Sequence, residues 1–187
     1  MPNFRIWLGI LIVIVIGCSC ATENTSTEAV TLRAEIGYWN ETQPSLIEMR
    51  DTITPIATRL IDMQPALDQR DLDAWKELAT EMAPVTVEVY RNVLKVYVLV
   101  KTPIASNLPE MKRLRADEMN AKISAMQGIS AGWDTGDDEL MIESYLDFFD
   151  ATSNFGRKID ELRIDLGRRI NEGCKEMRLR ECSSMGL

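Results

Sequence analysis

The chain contains no histidine. That absence excludes a Ser-His-Asp or Cys-His nucleophile, a His-ligated zinc or haem, and the Glu-x-x-His di-iron sites of helical bundles. Basic residues are in deficit, 21 Lys and Arg against 29 Asp and Glu. A nucleic-acid binder gains its affinity from cations meeting phosphates, so this balance argues against one. There is no Cys-x-x-Cys pair and no Gly-rich phosphate loop, and no nucleophile elbow is read in the chain. Methionines are scattered rather than grouped, so a copper site is not expected. No enzymatic activity, cofactor or metal is expected on these grounds. What is present, in 187 residues, is 45% hydrophobic and 27% charged. That is a globular composition, with enough length for one core.

The longest apolar run lies at the N-terminus. Ile6–Ile16 is uninterrupted over eleven residues and follows a short segment carrying Arg5. Eleven residues are too few to cross a hydrocarbon core, which takes about 20 in a helix. They match the apolar region of a secretory signal peptide. The run closes on Val15-Ile16-Gly17-Cys18. This ending resembles the lipobox of bacterial lipoproteins: aliphatic residues, a small residue, then the cysteine that is lipidated. Ile16 is bulkier than is usual before the glycine. The resemblance covers the signal segment alone and implies removal of residues 1–17. It also implies palmitate-type acyl chains on Cys18 and a membrane partner reached through that lipid. Two or three chains anchor stably where one does not. Ser19 rather than Asp after the cysteine implies, for a Gram-negative envelope, the outer membrane more than the inner. Removing residues 1–17 takes away one charged group, Arg5, so the net charge of -8 becomes about -9.

Residues 18–28 are small and polar and read as a tether. From 29 to 187 the pattern is helical. Leu46, Met49, Ile53, Ile56, Leu60, Met63 and Leu67 recur at spacings of three and four, a period that no strand has. Leu32, Ile36 and Trp39 extend this stripe upstream. Pro44 is expected to break or kink it, leaving a fifth, short N-terminal helix, and Pro55 and Pro65 to bend it. Asp71 is placed to cap the next helix. Its expected inner stripe is Trp75, Leu78, Met82, Val85, Val89, Val93, Val96 and Val100. A third helix, opening near Pro109, carries Met111, Leu114, Met119, Ile123 and Met126 and is expected to end over Gly128–Gly136. Thr135 and Asp138 resemble a capping box for the last helix. Ile142, Tyr145, Phe149, Thr152, Ile159, Leu162, Leu166 and Ile170 would form the stripe of that helix. The fold class that follows is all-α: an antiparallel, Pro-kinked bundle of about four long helices. Four antiparallel helices return the C-terminus to the end where the chain began, and set the first and third links together at the far end.

Candidate sites are few. Cys174 and Cys182 are eight positions apart, about 12 Å along a continuous helix. They can pair only if the chain doubles back between them. The alternatives are a bond from Cys20 to one of them, or free thiols. Trp133, on an expected loop, either closes one end of the bundle or offers a contact to a partner. Asp134 to Glu139 lacks calcium-loop spacing and is explained by the dipole at a helix start. Lys175, Arg178 and Arg180 complement a helix C-terminus and, by the parity of four helices, could meet lipid headgroups. The expected function is a membrane-anchored, non-enzymatic helical module that binds or inhibits a protein partner. The alternatives are a carrier holding a hydrophobic ligand in the bundle core and a structural spacer. A closed, dry core would oppose the carrier.

Overall fold

The structure, a computed structural model, describes residues 27–102, 106–177 and 182. It is an all-α bundle. Helix α1 spans Thr27–Asp68, α2 spans Leu72–Glu77, a π-turn covers Leu78–Met82, and α3 spans Ala83–Leu99. The α2, π-turn and α3 segments run on as one rod. Helix α4 spans Leu108–Thr135 and α5 spans Asp138–Met177. No helix among the described residues is long and apolar enough to cross a membrane.

Helix α1 passes through Pro44, Pro55 and Pro65 without ending. The expected break at Pro44, and with it a separate N-terminal helix, is absent. The reason is packing on both sides of the proline: Leu32, Ile36, Tyr38 and Thr42 are buried before it, Leu46 and Met49 lie half-buried against the core just after it, and Leu60, Met63 and Leu67 are buried further on. Packing of an apolar face outweighs local propensity in a helix of this length. The helix also begins at Thr27, so the last two residues of the expected tether are helical.

The links between α1 and α2 and between α4 and α5 are built alike. Arg70 takes a left-handed φ of 59° and Gly136 one of 69°. At the first link, Arg70 N–H donates to Leu67 O and Asp71 N–H to Ala66 O. At the second, Gly136 N–H donates to Trp133 O and Asp137 N–H to Gly132 O. Each pair closes a helix end by satisfying its orphan carbonyls. Asp71 and Asp137 then cap the helices that follow: Asp71 Oδ1 accepts from Asp73 and Ala74, and Asp137 Oδ1 accepts from Leu140. The cap expected at Asp71 is present. The capping box expected at Thr135 is not, because Thr135 Oγ1 donates back to Ala131 O within α4.

Most of the two expected inner stripes is buried, including Val93 and Val100 along α3 and Ile159, Leu162, Leu166 and Ile170 along α5, and the departures are local. In α3 the buried side chains are Ala83, Thr86, Val87, Tyr90, Val93, Tyr97 and Val100, while Val85 is 45% exposed. The π-turn inserts an extra residue and rotates everything after it, which carries the two tyrosines inward. In α5, Met141, Ser144, Phe148 and Ala151 are buried, whereas Phe149 and Thr152 are exposed. Helix α4 sets this register. It does not end at Gly128. A Cβ at Gly128 would lie 2.9 Å from Ser144 Cβ, and one at Gly132 would lie 2.6 Å from Met141 Cγ. The two glycines let α4 and α5 cross closely, and that pair is the most extensively packed among the described helices.

The ends of the bundle differ. At one end the α1–α2 and α4–α5 links lie together, with Arg70, Leu72, Trp75 and Asp138 around one small hollow. At the other, the start of α1 meets the end of α5: Leu32 packs on Gly173, and Arg169 pairs with Glu35 at 2.7 Å. With 42 and 40 residues, α1 and α5 are about 60 Å long, while α4 is about 40 Å. The ring of Tyr38 meets that of Tyr97 at 6.0 Å. The first residues of α1 and the last of α5 therefore continue past the end of α3 as a two-helix extension.

Candidate functional site

The core is not closed. A cleft of about 320 Å³ lies between α1 and the α3–α4 pair. Helix α1 supplies one wall, in which Met49, Ile53 and Ile61 alternate with Arg50, Thr54 and Thr58, and Tyr90, Arg115, Glu118, Met119 and Lys122 form the floor. A second hollow of about 160 Å³ follows the same seam, between Met49 and Val93. The hollows leave Met49 and Ile53 only half-buried although periodicity marks them as core, and Leu46 and Ile56 beside them are half-buried too.

The floor is a charged triad on one face of α4. Glu118 Oε2 accepts from Arg115 Nη1 at 3.0 Å, and its Oε1 accepts from Lys122 Nζ at 2.7 Å. The spacings of three and four place all three side chains on one helical face. Glu118 and Lys122 are buried, with residue exposures of 5% and 8%. The Lys122 ammonium also lies 5.6 Å from the ring centre of Tyr90 and 5.8 Å from that of Phe148. Aromatic faces at that range attract a cation and offset part of its desolvation. Tyr90's hydroxyl is held well above the usual phenol range, first by burial and then by the Glu118 charge. Arg115 Nε is buried and donates to nothing among the described residues.

A second charged group sits at the extension. Arg169 pairs with Glu35 and also approaches Asp165 Oδ2 at 3.1 Å. Burial is the main force pushing the Glu35 carboxyl above its usual range; Arg169 opposes it and Asp165 adds to it. A groove beside it is lined by Glu28, Glu172 and Glu176 as well as Arg169. Among the described residues no group of three or more acidic or cysteine ligands is placed to hold a metal ion.

The sequence-derived candidates fall as follows. Cys18, Arg178 and Arg180 lie outside the described residues. Lys175 is exposed in the last turn of α5. Cys174 and Cys182 are joined, with Cα atoms 5.8 Å apart. Trp133 is not on a loop. It lies in the last turns of α4, half-buried against the core, because α4 runs on through Gly132 to Thr135. Lys112, Arg113 and Arg115, near one another on α4, have separate tasks. Lys112 Nζ donates to the carbonyls of Val98 and Val100 at the end of α3, Arg113 pairs with Asp117, and Arg115 joins the triad.

Two features escaped the sequence reading. The triad was legible in principle as Arg115, Glu118 and Lys122 at helical spacing, but that pattern is ordinary on a solvated face. The string Gly128-Ile129-Ser130-Ala131-Gly132 has the spelling of a nucleophile elbow, which the sequence reading passed over. An elbow requires a strand-to-helix turn and a base beside its serine. Here the whole string is helical, and Ser130 Oγ donates to Ala79 O at 2.8 Å, tying α4 to the π-turn. Comparison with protein-family models, with curated proteins and with solved structures finds no match.

Proposed function

We propose that this chain is an acyl-anchored lipoprotein of the bacterial cell envelope. It works without catalysis, by holding a protein partner at the end of the bundle away from the membrane. The observation that carries this reading is the polarity of the bundle. Helix α1 starts where α5 ends, nine residues after Cys18, and a tether of nine residues reaches at most about 30 Å. Apolar side chains are exposed at both ends: Leu99, Val98 and Val30 on the anchor side, where a membrane surface is at hand, and Leu72 and Leu140 at the opposite end. Arg70 is held there in a left-handed backbone conformation, which costs a non-glycine residue of order 1 kcal/mol. Trp133 lies in the same region, at the end of α4. The acidic net charge favours a basic partner through long-range steering. At the anchor end Lys175, followed in the chain by Arg178 and Arg180, is available to anionic headgroups, which attract such residues by about 1 kcal/mol each.

A photo-crosslinking residue placed at Leu72 or Leu140 in intact cells tests this. The expected result is a discrete cross-linked product from both positions and none from Ile164, which is as exposed as Leu72 but lies in the second half of α5. Products of the same size and yield from all three positions, or none from the first two, contradict it. A second reading, the carrier, is favoured by one specific observation: the α1 cleft is open to a ligand where a closed core would not be.

A further inference from the structure

We propose that the cleft beneath α1 binds a single-chain amphiphile with a carboxylate head, its tail along α1 and its head on Arg115 and Lys122. This inference rests on the carrier reading and names the ligand class.

Two cations on the floor share one carboxylate, and both oxygens of Glu118 are already occupied by Arg115 and Lys122. The triad therefore carries one unbalanced positive charge. It does so in a chain whose net charge is -8. Burying a charge costs several kcal/mol unless a partner offsets it. For Lys122 the nearest compensation other than Glu118 is two aromatic rings, and a cation over a ring gains less than an ion pair does. One monoanion completes the site.

The donors decide which anion. Arg115 has a buried Nε–H with no acceptor among the described residues, and Lys122 spends one of its three protons on Glu118. A planar guanidinium edge and a nearby ammonium suit the two oxygens of a carboxylate. The wall decides the rest. Met49, Ile53 and Ala57 of α1 face Met119 across the cleft, with Arg50, Thr54 and Thr58 at the margins, so a narrow apolar strip with polar edges lies above the charges. Ligand sites of this kind combine a mainly apolar lining with a few placed polar groups. At about 320 Å³ the cleft lies at the small end of the range for ligand pockets, roughly 300–1,000 Å³. It has room for one alkyl chain and not for a two-chain lipid.

Native mass spectrometry of the full-length protein, released from detergent micelles, provides the test. The probes are palmitate, hexadecanol and phosphatidylglycerol at equal concentration. The expected result is a palmitate adduct at least tenfold more abundant than that of hexadecanol, with no displacement by phosphatidylglycerol. Arg115→Gln and Lys122→Met each leave Glu118 paired with one cation, so each keeps a balanced floor and should abolish the preference for palmitate. Ile53→Trp touches none of the charges; it fills the cleft and should remove the adducts of both single-chain probes. Equal palmitate and hexadecanol adducts, unchanged in the two charge variants, overturn the carboxylate inference while the carrier reading stands. Adducts of neither overturn both. Displacement of palmitate by phosphatidylglycerol overturns the single-chain assignment.

Discussion

Leu60→Ala lowers the stability of the folded chain by about 2–5 kcal/mol, whereas Glu48→Ala changes it by no more than about 0.5 kcal/mol. Both residues lie on α1, twelve positions apart. Leu60 is 1% exposed and belongs to the central apolar cluster, while Glu48 is exposed. The expected cost at Leu60 has two parts: lost burial of the removed methyl groups, and the cavity they leave. Ile53→Ala should fall between the two, because Ile53 is half-buried over the cleft and has already lost part of its packing. Urea unfolding of the three variants measures the order. Equal shifts for Leu60→Ala and Glu48→Ala would mean that α1 does not present this face to the core.

The second large effect is electrostatic. Glu118→Ala should destabilise the fold by about 3–5 kcal/mol, since it leaves two cations, one of them buried, without their carboxylate. The loss is not a measure of what the triad contributes. Replacing buried ion groups together with apolar residues of similar shape is often close to neutral. The double variant Glu118→Leu with Lys122→Met should therefore recover most of the stability lost in Glu118→Ala. A double variant as unstable as the single one would show that the triad acts through packing and not through charge. Chemical denaturation at one ionic strength gives both values.

The sequence carried the architecture further than the site. The three-four spacing of Leu60, Met63 and Leu67 marks α1 as a helix, and the same residues are buried in the core. Asp71 signals the start of α2 and caps it. The parity of the helices puts the start of α1 beside the end of α5, where Leu32 meets Gly173. Periodicity failed where a single residue decides the register. It cannot see the π-turn that brings Tyr90 and Tyr97 inward, because an insertion of one residue leaves the composition of the stripe unchanged. It reads Gly128 and Gly132 as helix ends, since glycine has low helix propensity. Their role as a close crossing depends on Ser144 and Met141 of another helix. Proline misled for the converse reason: burial on both sides of Pro44 holds α1 together against the local preference. The charged triad was hidden by the ambiguity of charge on a helix. Arg115, Glu118 and Lys122 could have faced water as readily as α3, and only the packing of both α3 and α5 against α4 places Tyr90 and Phe148 beside Lys122.

The reading as a whole depends on the lipid at Cys18, because that anchor fixes one end of the bundle to the membrane and leaves Leu72, Leu140 and Trp133 at the other. Intact mass spectrometry of the protein extracted from membranes measures it directly. The account predicts a chain that begins at Cys18 and carries the added mass of a diacylglyceryl group, with or without a further acyl chain. A chain that keeps residues 1–17, or one that begins at another residue with no added lipid, would contradict it.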